Sequence, residues 1–299
     1  MRLPVAALFA WSAAAHALPP AAQVTFPSLD KDVTVSALYF RPPQAAADAR
    51  VPLIVAVHGC GGMWSASPSR RDELSERSVA WTEQLLADGY AVLWPDSFTP
   101  RGRRSVCLVK HGEPTITPVT RRLDVLGAVA FAVAQPGVDG SRIALLGWSH
   151  GGSTTLAAIN GKDTEVARFF AAPGAPPALR AAVAFYPGCG VSLRMGEAWL
   201  PTPPLAIHIG ALDDWSNPQL CIKLADAVRA RGADVALTVY PGAYHDFDVP
   251  RGTVKTWKEV TSGTHPSEGV HLGPDPAARA AAVASVRDFL REKLKESKP

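Results

Sequence analysis

The run Arg142-Ile-Ala-Leu-Leu-Gly147-Trp148-Ser149-His150-Gly151-Gly152, continuing as Ser-Thr-Thr-Leu-Ala-Ala158, leaves the chain few options. A strand-like apolar stretch turns sharply through glycines and leaves as a small-residue helix. The spacing is G-x-S-x-G, which sets a serine on a strained strand-to-helix turn with its hydroxyl exposed. A side chain at position 147 or 151 would crowd that turn, so Gly147 and Gly151 answer a steric demand. The helix that follows points its N-terminus, with unpaired N–H groups, at any negative charge developing beside the serine. The alternative is an ordinary glycine-rich turn between strand and helix. The strand before it and the helix after it favour Ser149 as a nucleophile.

Apolar runs and helical patterns alternate on both sides of this turn. Residues 24–27 and 33–40 read as a β-hairpin. Residues 51–57, 90–94, 181–186, 204–209 and 235–240 read as strands. Helices are expected over 78–88 with a stop at Gly89, through Leu123, Leu126, Ala130 and Val133, and over 218–231 with a stop at Gly232. Val283, Val286, Phe289, Leu290 and Leu294 mark an amphipathic terminal helix. The alternation predicts an α/β fold, with a mainly parallel central sheet and helices on both faces. Residues 251–274 read as an irregular surface excursion. No repeat or linker divides the chain, and 299 residues with 47% hydrophobic content suit one large core. Residues 18–299 are therefore expected to form one domain.

The first 17 residues have one arginine, a short apolar run and Ala15-His16-Ala17, the pattern of an export signal. Cleavage there would lower the formal net charge from +3 to +2, through loss of Arg2. The alternative is an Ala-rich tail. Export predicts a periplasmic or secreted protein, an oxidising setting in which Cys60, Cys107, Cys189 and Cys221 form disulfides. Four cysteines allow three pairings. Joining loops at the same sheet edge favours Cys60–Cys107 and Cys189–Cys221, with four buried thiols as the alternative. No basic stripe with interleaved aromatics suggests nucleic acid. No metal-ligand spacing stands out, no cofactor is implied, and no segment is apolar enough to span a membrane.

A serine at its ordinary pKa needs a base, and the base needs an orienting acid. In an open α/β sheet both belong on loops at the carboxyl ends of strands. Ile207-His-Ile-Gly210-Ala-Leu-Asp213-Asp214 ends a strand in an acidic pair, and Val239-Tyr-Pro-Gly-Ala-Tyr244-His245 ends another in a histidine loop. Asp213, the first acid to leave its strand, is the preferred acid, with Asp214 as the alternative, and His245 is the base. His208 reads as a core histidine. His150 is a candidate to line the pocket but is misplaced for a base. His58, His111, His265 and His271 show no pairing. For an oxyanion hole, the N–H of His150 supplies one donor. The glycine loop His58-Gly59-Cys60-Gly61-Gly62 supplies the other, with Cys60 preferred over Gly59 or Gly61.

His58-Gly-Cys-Gly-Gly62, Gly147-Trp-Ser-His-Gly-Gly152, Gly210-Ala-Leu-Asp213 and Tyr240-Pro-Gly-Ala-Tyr-His245-Asp-Phe247 resemble the dienelactone hydrolase family of α/β-hydrolases. The order serine, aspartate, histidine is the α/β-hydrolase order, and the likeness runs over residues 51–247. The resemblance implies cofactor-free hydrolysis of esters or lactones by Ser149, Asp213 and His245. The founding members use cysteine where this chain has Ser149, so a general carboxylic ester replaces dienelactone as the expected substrate class. The Gly-Trp-Ser-x-Gly-Gly run is also seen in secreted polyester hydrolases, and a peptidase would share the triad. A non-catalytic binding protein on the same fold is the alternative of another class. Trp64, Trp94, Trp148 and Trp215 flank the site loops. They form either an acyl-binding wall, with Trp64, Trp148 and Trp215 the pocket candidates, or packing. Arg101, Arg103 and Arg104 either attract a substrate carboxylate or form a solvated loop.

Overall fold

The computed structural model describes residues 18–109 and 115–295. The expected export signal and His111 lie outside them. The strands are β1 (Ala22–Pro27), β2 (Thr34–Phe40), β3 (Val51–Val57), β4 (Ala91–Asp96), β5 (Val138–Trp148), β6 (Ala181–Phe185), β7 (Leu205–Gly210), β8 (Val235–Tyr240), β9 (Lys255–Trp257) and β10 (Val270–Leu272). The helices are α1 (Glu76–Ala87), α2 (Pro118–Val133), α3 (His150–Ala158), α4 (Thr164–Ala171), α5 (Gly190–Met195), α6 (Pro218–Arg229) and α7 (Pro276–Lys293).

Eight strands form one sheet in the order β1-β2-β4-β3-β5-β6-β7-β8. The hairpin β1–β2 pairs antiparallel, as does β2 with β4, and the other neighbours run parallel. Strands β3 to β7 are almost wholly buried, which explains why they read as continuous apolar runs rather than alternating ones. The path from β3 to β4 runs one way along the sheet, and the later crossovers run the other way. Right-handed crossovers therefore set α1 on one face and α2, α3 and α6 on the opposite one. Helix α7 lies with α1, tied by Arg287 to Asp88 at 2.9 Å. The reversal falls between β3 and β5, where an open sheet of this kind leaves a crevice at its carboxyl edge.

Helix starts follow local chemistry. Ser75, Thr117 and Asp275 each accept a backbone N–H in the first turn of α1, α2 and α7. Proline stands at the first turn of α2, α6 and α7, where its missing N–H costs nothing. Two disulfides join Cys60 to Cys107 and Cys189 to Cys221, and no described cysteine is free. Among the described residues, no helix is long and apolar enough to cross a membrane.

Two expectations need correction. Residues 251–274 are not wholly irregular, because β9 and β10 pair antiparallel within them as a small ribbon. Helices α4 and α5 were not visible in the sequence. Both are short, with eight and six residues, so the apolar positions Val166, Phe169 and Phe170 of α4 span little more than one turn and α5 buries only Ser192.

Candidate active site

The turn from β5 to α3 holds Ser149 at φ 53°, ψ −115°, a conformation that L residues avoid. Neighbouring backbone enforces it. A Cβ on Gly147 would meet the Gly151 carbonyl oxygen at 2.3 Å, and one on Gly151 would meet the Val57 oxygen at 1.9 Å. Strand, helix and the adjoining β3 loop thus close on the serine at van der Waals range. Gly151→Ala is expected to destabilise the fold by about 3 kcal/mol or more, because backbone cannot yield as a side-chain tip does. Thermal unfolding checks this, and an unchanged Tm would contradict it.

Three loops meet over Ser149. His245 leaves β8 and places Nε2 at 2.9 Å from Ser149 Oγ. Its Nδ1 lies 2.8 Å from Asp213 Oδ2. Asp213 leaves β7, and its Oδ1 accepts the N–H groups of Trp215 and Ser216 at 3.0 and 2.7 Å. Those bonds fix the carboxylate so that its second oxygen is left for the imidazole. His245 and Asp213 are 1% and 3% exposed, so the relay is shielded from water.

Asp214 turns the other way. It accepts from the His271 N–H at 2.8 Å and approaches His271 Nδ1 at 2.6 Å. His271, which showed no pairing in the sequence, thus clips the β9–β10 ribbon to the acid loop. The ribbon brings Trp257 edge-on to Trp215, and Trp215 packs against the His245 ring with centroids 4.8 Å apart.

Burial of the His245 imidazole works against its charge. The Asp213 carboxylate, through charge and hydrogen bond, overcomes this, with Asp246 assisting and Arg77 opposing. The pKa ends above its ordinary value. A base must be neutral to accept a proton, so with His245 as the candidate base, activity is expected to fall as pH drops through that raised pKa. The acid limb of kcat/KM is therefore expected above about 6.5, the ordinary histidine value. A pH profile with its midpoint well below that value would contradict the His245 environment.

The histidine loop is held by residues that the sequence did not announce. Arg77 of α1 lies 2.6 Å from Asp246 and 3.2 Å from Asp248. Asp248 also accepts from Trp81, Trp148 and Tyr186 at 2.7, 2.9 and 2.5 Å. Asp246, directly after His245, sits at φ 62°, and the Arg77 contact holds that strained turn. Asp248 carried a faint signal, three positions beyond the candidate base. Arg77 carried none, because its partners lie about 170 positions away in the chain.

The β3 loop lies against the serine. A Cβ on Gly59 would be 3.7 Å from Ser149 Cβ. The next residue, Cys60, is anchored by its disulfide to Cys107 and by its carbonyl, which accepts the Val106 N–H at 2.8 Å. His150 opens α3, where the first turn leaves N–H groups without helical partners.

A cleft of about 680 Å3 opens onto Ser149 and His245. Trp64, Trp215 and Trp257 line it, with Arg71, Arg104 and Lys255 also on its walls. Trp148 is not a wall residue as expected. It is fully buried, stacked on Trp94 at 5.4 Å, and its indole N–H points to Asp248. Trp94 is likewise core. Arg101 is spent on ion pairs to Asp30 and Asp124 at 2.8 and 2.9 Å, and Arg103 does not line the cleft. His208 is buried in the core beside Tyr240, at 2.8 Å from its hydroxyl. No cluster of metal-ligating side chains occurs among the described residues.

The fold has known relatives. Esterase 2 of Thermogutta terrifontis superposes with TM-score 0.63 at 18% identity, covering 95% of this chain and 98% of that one. A dienelactone hydrolase-like promiscuous phosphotriesterase from metagenomic libraries gives TM-score 0.59 at 17% identity, covering 92% and 99%. Dipeptidyl peptidase 4 of Porphyromonas gingivalis gives 0.62 at 17%, over 93% of this chain but 36% of that longer one. At these identities the likeness is one of fold. No curated protein matches the sequence. The sequence model of the dienelactone hydrolase family matches residues 35–294, and with the hydrolase sheet order and the loops above in place, the chain belongs to that family and is a hydrolase of ester bonds.

Proposed function

We propose that the chain is a serine carboxylesterase that works through an acyl-enzyme on Ser149. The observation that carries the reading is the unbroken hydrogen-bonded line from Ser149 Oγ through His245 to Asp213, at 2.9 and 2.8 Å. Ser149 Oγ attacks the ester carbonyl carbon as its proton passes to His245 Nε2. The carbonyl oxygen becomes an oxyanion, which the N–H groups of His150 and Cys60 receive. Asp213 holds the imidazolium. Collapse of the tetrahedral species breaks the bond to the alcohol oxygen, which takes the proton from His245. Water then attacks the acyl-enzyme by the same route and regenerates the serine hydroxyl.

The cleft supports substrates with an aromatic or flat apolar part against Trp64, Trp215 and Trp257. Residues 1–17 are proposed to direct export and to be removed, leaving 18–299 as one domain. The two disulfides support an oxidising location such as the periplasm or the medium. Rapid mixing with p-nitrophenyl esters of increasing acyl length tests the mechanism. The expected result is a burst of p-nitrophenolate equal to the enzyme concentration, followed by slower turnover, for at least one chain length. No release above the Ser149→Ala background across the whole series would refute the esterase reading.

A further inference from the structure

Behind the proposed oxyanion hole lies a buried cation that the scheme above does not use. Arg121, on α2, is fully buried. Its Nη1 lies 2.9 Å from His150 Nδ1, and its Nη2 lies 3.3 Å from each ring nitrogen of His58. The guanidinium sits over the Phe98 ring at 4.8 Å. The same ring packs edge-on against His58 at 4.6 Å and His150 at 6.0 Å. These two histidines flank the hole. His58 opens the loop that carries Cys60, and His150 follows Ser149.

No carboxylate pairs with Arg121 among the described residues. Asp124 is taken by Arg101 and by the Ser28 hydroxyl. Asp96 is taken by the Trp64 indole N–H and the backbone of Phe98 and Thr99. Arg121 Nε finds no acceptor among the described residues. Burying a guanidinium with so little compensation is costly. Burial pulls its pKa down to about 9, against the pull of Asp124 and Asp96 and with a push from Arg101, so it stays charged at neutral pH. Burial first, and then the Arg121 charge, push His58 down to about 3 and hold His150 well below its ordinary value. Neutral His58 has Nδ1 at 2.8 Å from its own loop's Gly59 carbonyl. With Nδ1–H donating there, Nε2 is left to accept from Arg121. The guanidinium fork then joins the β3 loop to the start of α3.

We propose that Arg121 is a positioning residue for the oxyanion hole, its fork holding the Cys60 loop and the His150 turn in register and its unpaired charge lying behind both donors. This rests on the reading of Ser149 as nucleophile. The oxyanion exists only in the transition state, so loss of this support falls on kcat rather than on KM.

The test compares Arg121→Met and Arg121→Lys with wild type on p-nitrophenyl acetate, with a parallel Ser149→Ala control. Arg121→Met is expected to lower kcat roughly 100-fold, comparable to removal of one oxyanion donor, with KM within about twofold. Arg121→Lys keeps charge without the fork and is expected to recover part of the loss. A boronic acid that mimics the tetrahedral species is expected to lose affinity in step with kcat. Wild-type kcat in folded Arg121→Met, or a raised KM with kcat unchanged, would overturn the proposal while leaving Ser149 in place. Turnover retained by Ser149→Ala overturns both readings. Should Arg121→Met fail to fold, nitrogen-15 shifts of the wild-type histidines decide. His58 is expected as the neutral Nδ1–H tautomer, and a charged ring or the Nε2–H tautomer at neutral pH would refute the bridge.

Discussion

Ser149→Ala is expected to lower kcat on a p-nitrophenyl ester by about 10^5-fold or more, with thermal stability close to wild type. The substitution removes one oxygen and leaves the turn intact. Alanine tolerates φ 53° no worse than serine, and the glycines that make room for the turn are untouched. What is lost is the atom that forms the covalent bond in the proposed mechanism. The binding cleft and backbone donors would remain, and they alone account for the small residual rate over water. Activity within about tenfold of wild type would mean that another group attacks the ester. Among the described residues, His245 is the one histidine lining the cleft, and the hydroxyl at its Nε2 is that of Ser149, so that result would remove the basis of the mechanism.

Asp213→Asn is expected to cost about 10^4-fold in kcat, whereas Asp214→Asn is expected to cost less than about tenfold. The two acids are adjacent in sequence and opposed in space. Asp213 is locked by the N–H groups of Trp215 and Ser216, with its free oxygen at 2.8 Å from His245. An asparagine there would present either an oxygen without charge or an amide that donates, and it would turn the imidazole to the wrong tautomer. Asp214 instead binds His271 and the β9–β10 ribbon. Its loss loosens the wall that carries Trp257, so its effect belongs to KM more than to kcat. Steady-state kinetics on both variants separates them, and equal losses would contradict the assignment of the acid.

Features governed by local sequence could be read before the structure. The G-x-S-x-G turn, the strand ends carrying Asp213 and His245, and the parallel sheet follow from short-range steric and periodic rules. The disulfide partners lie 47 and 32 positions apart, yet loop placement at one sheet edge pointed to them. What escaped was set by contacts distant in sequence. Arg77 meets Asp246 and Asp248, Arg121 meets His58 and His150, and His271 meets Asp214 only once the sheet has formed. Trp148 was misplaced for a related reason. Its position beside the nucleophile suggested the pocket. The residues of a β-strand alternate between two faces, however, and this one packs into the aromatic core with Trp81, Trp94 and Phe185. The β9–β10 ribbon has three residues per strand, too few to establish a period.

The relay of Ser149, His245 and Asp213 is the central claim, and covalent labelling tests it most directly. Wild-type protein is to be treated with paraoxon or a fluorophosphonate, then digested and mapped by mass spectrometry. The account predicts one adduct per chain, on Ser149, formed in step with loss of esterase activity and absent from Ser149→Ala. Inactivation with the adduct on another residue, or full modification of Ser149 with turnover unimpaired, would contradict it.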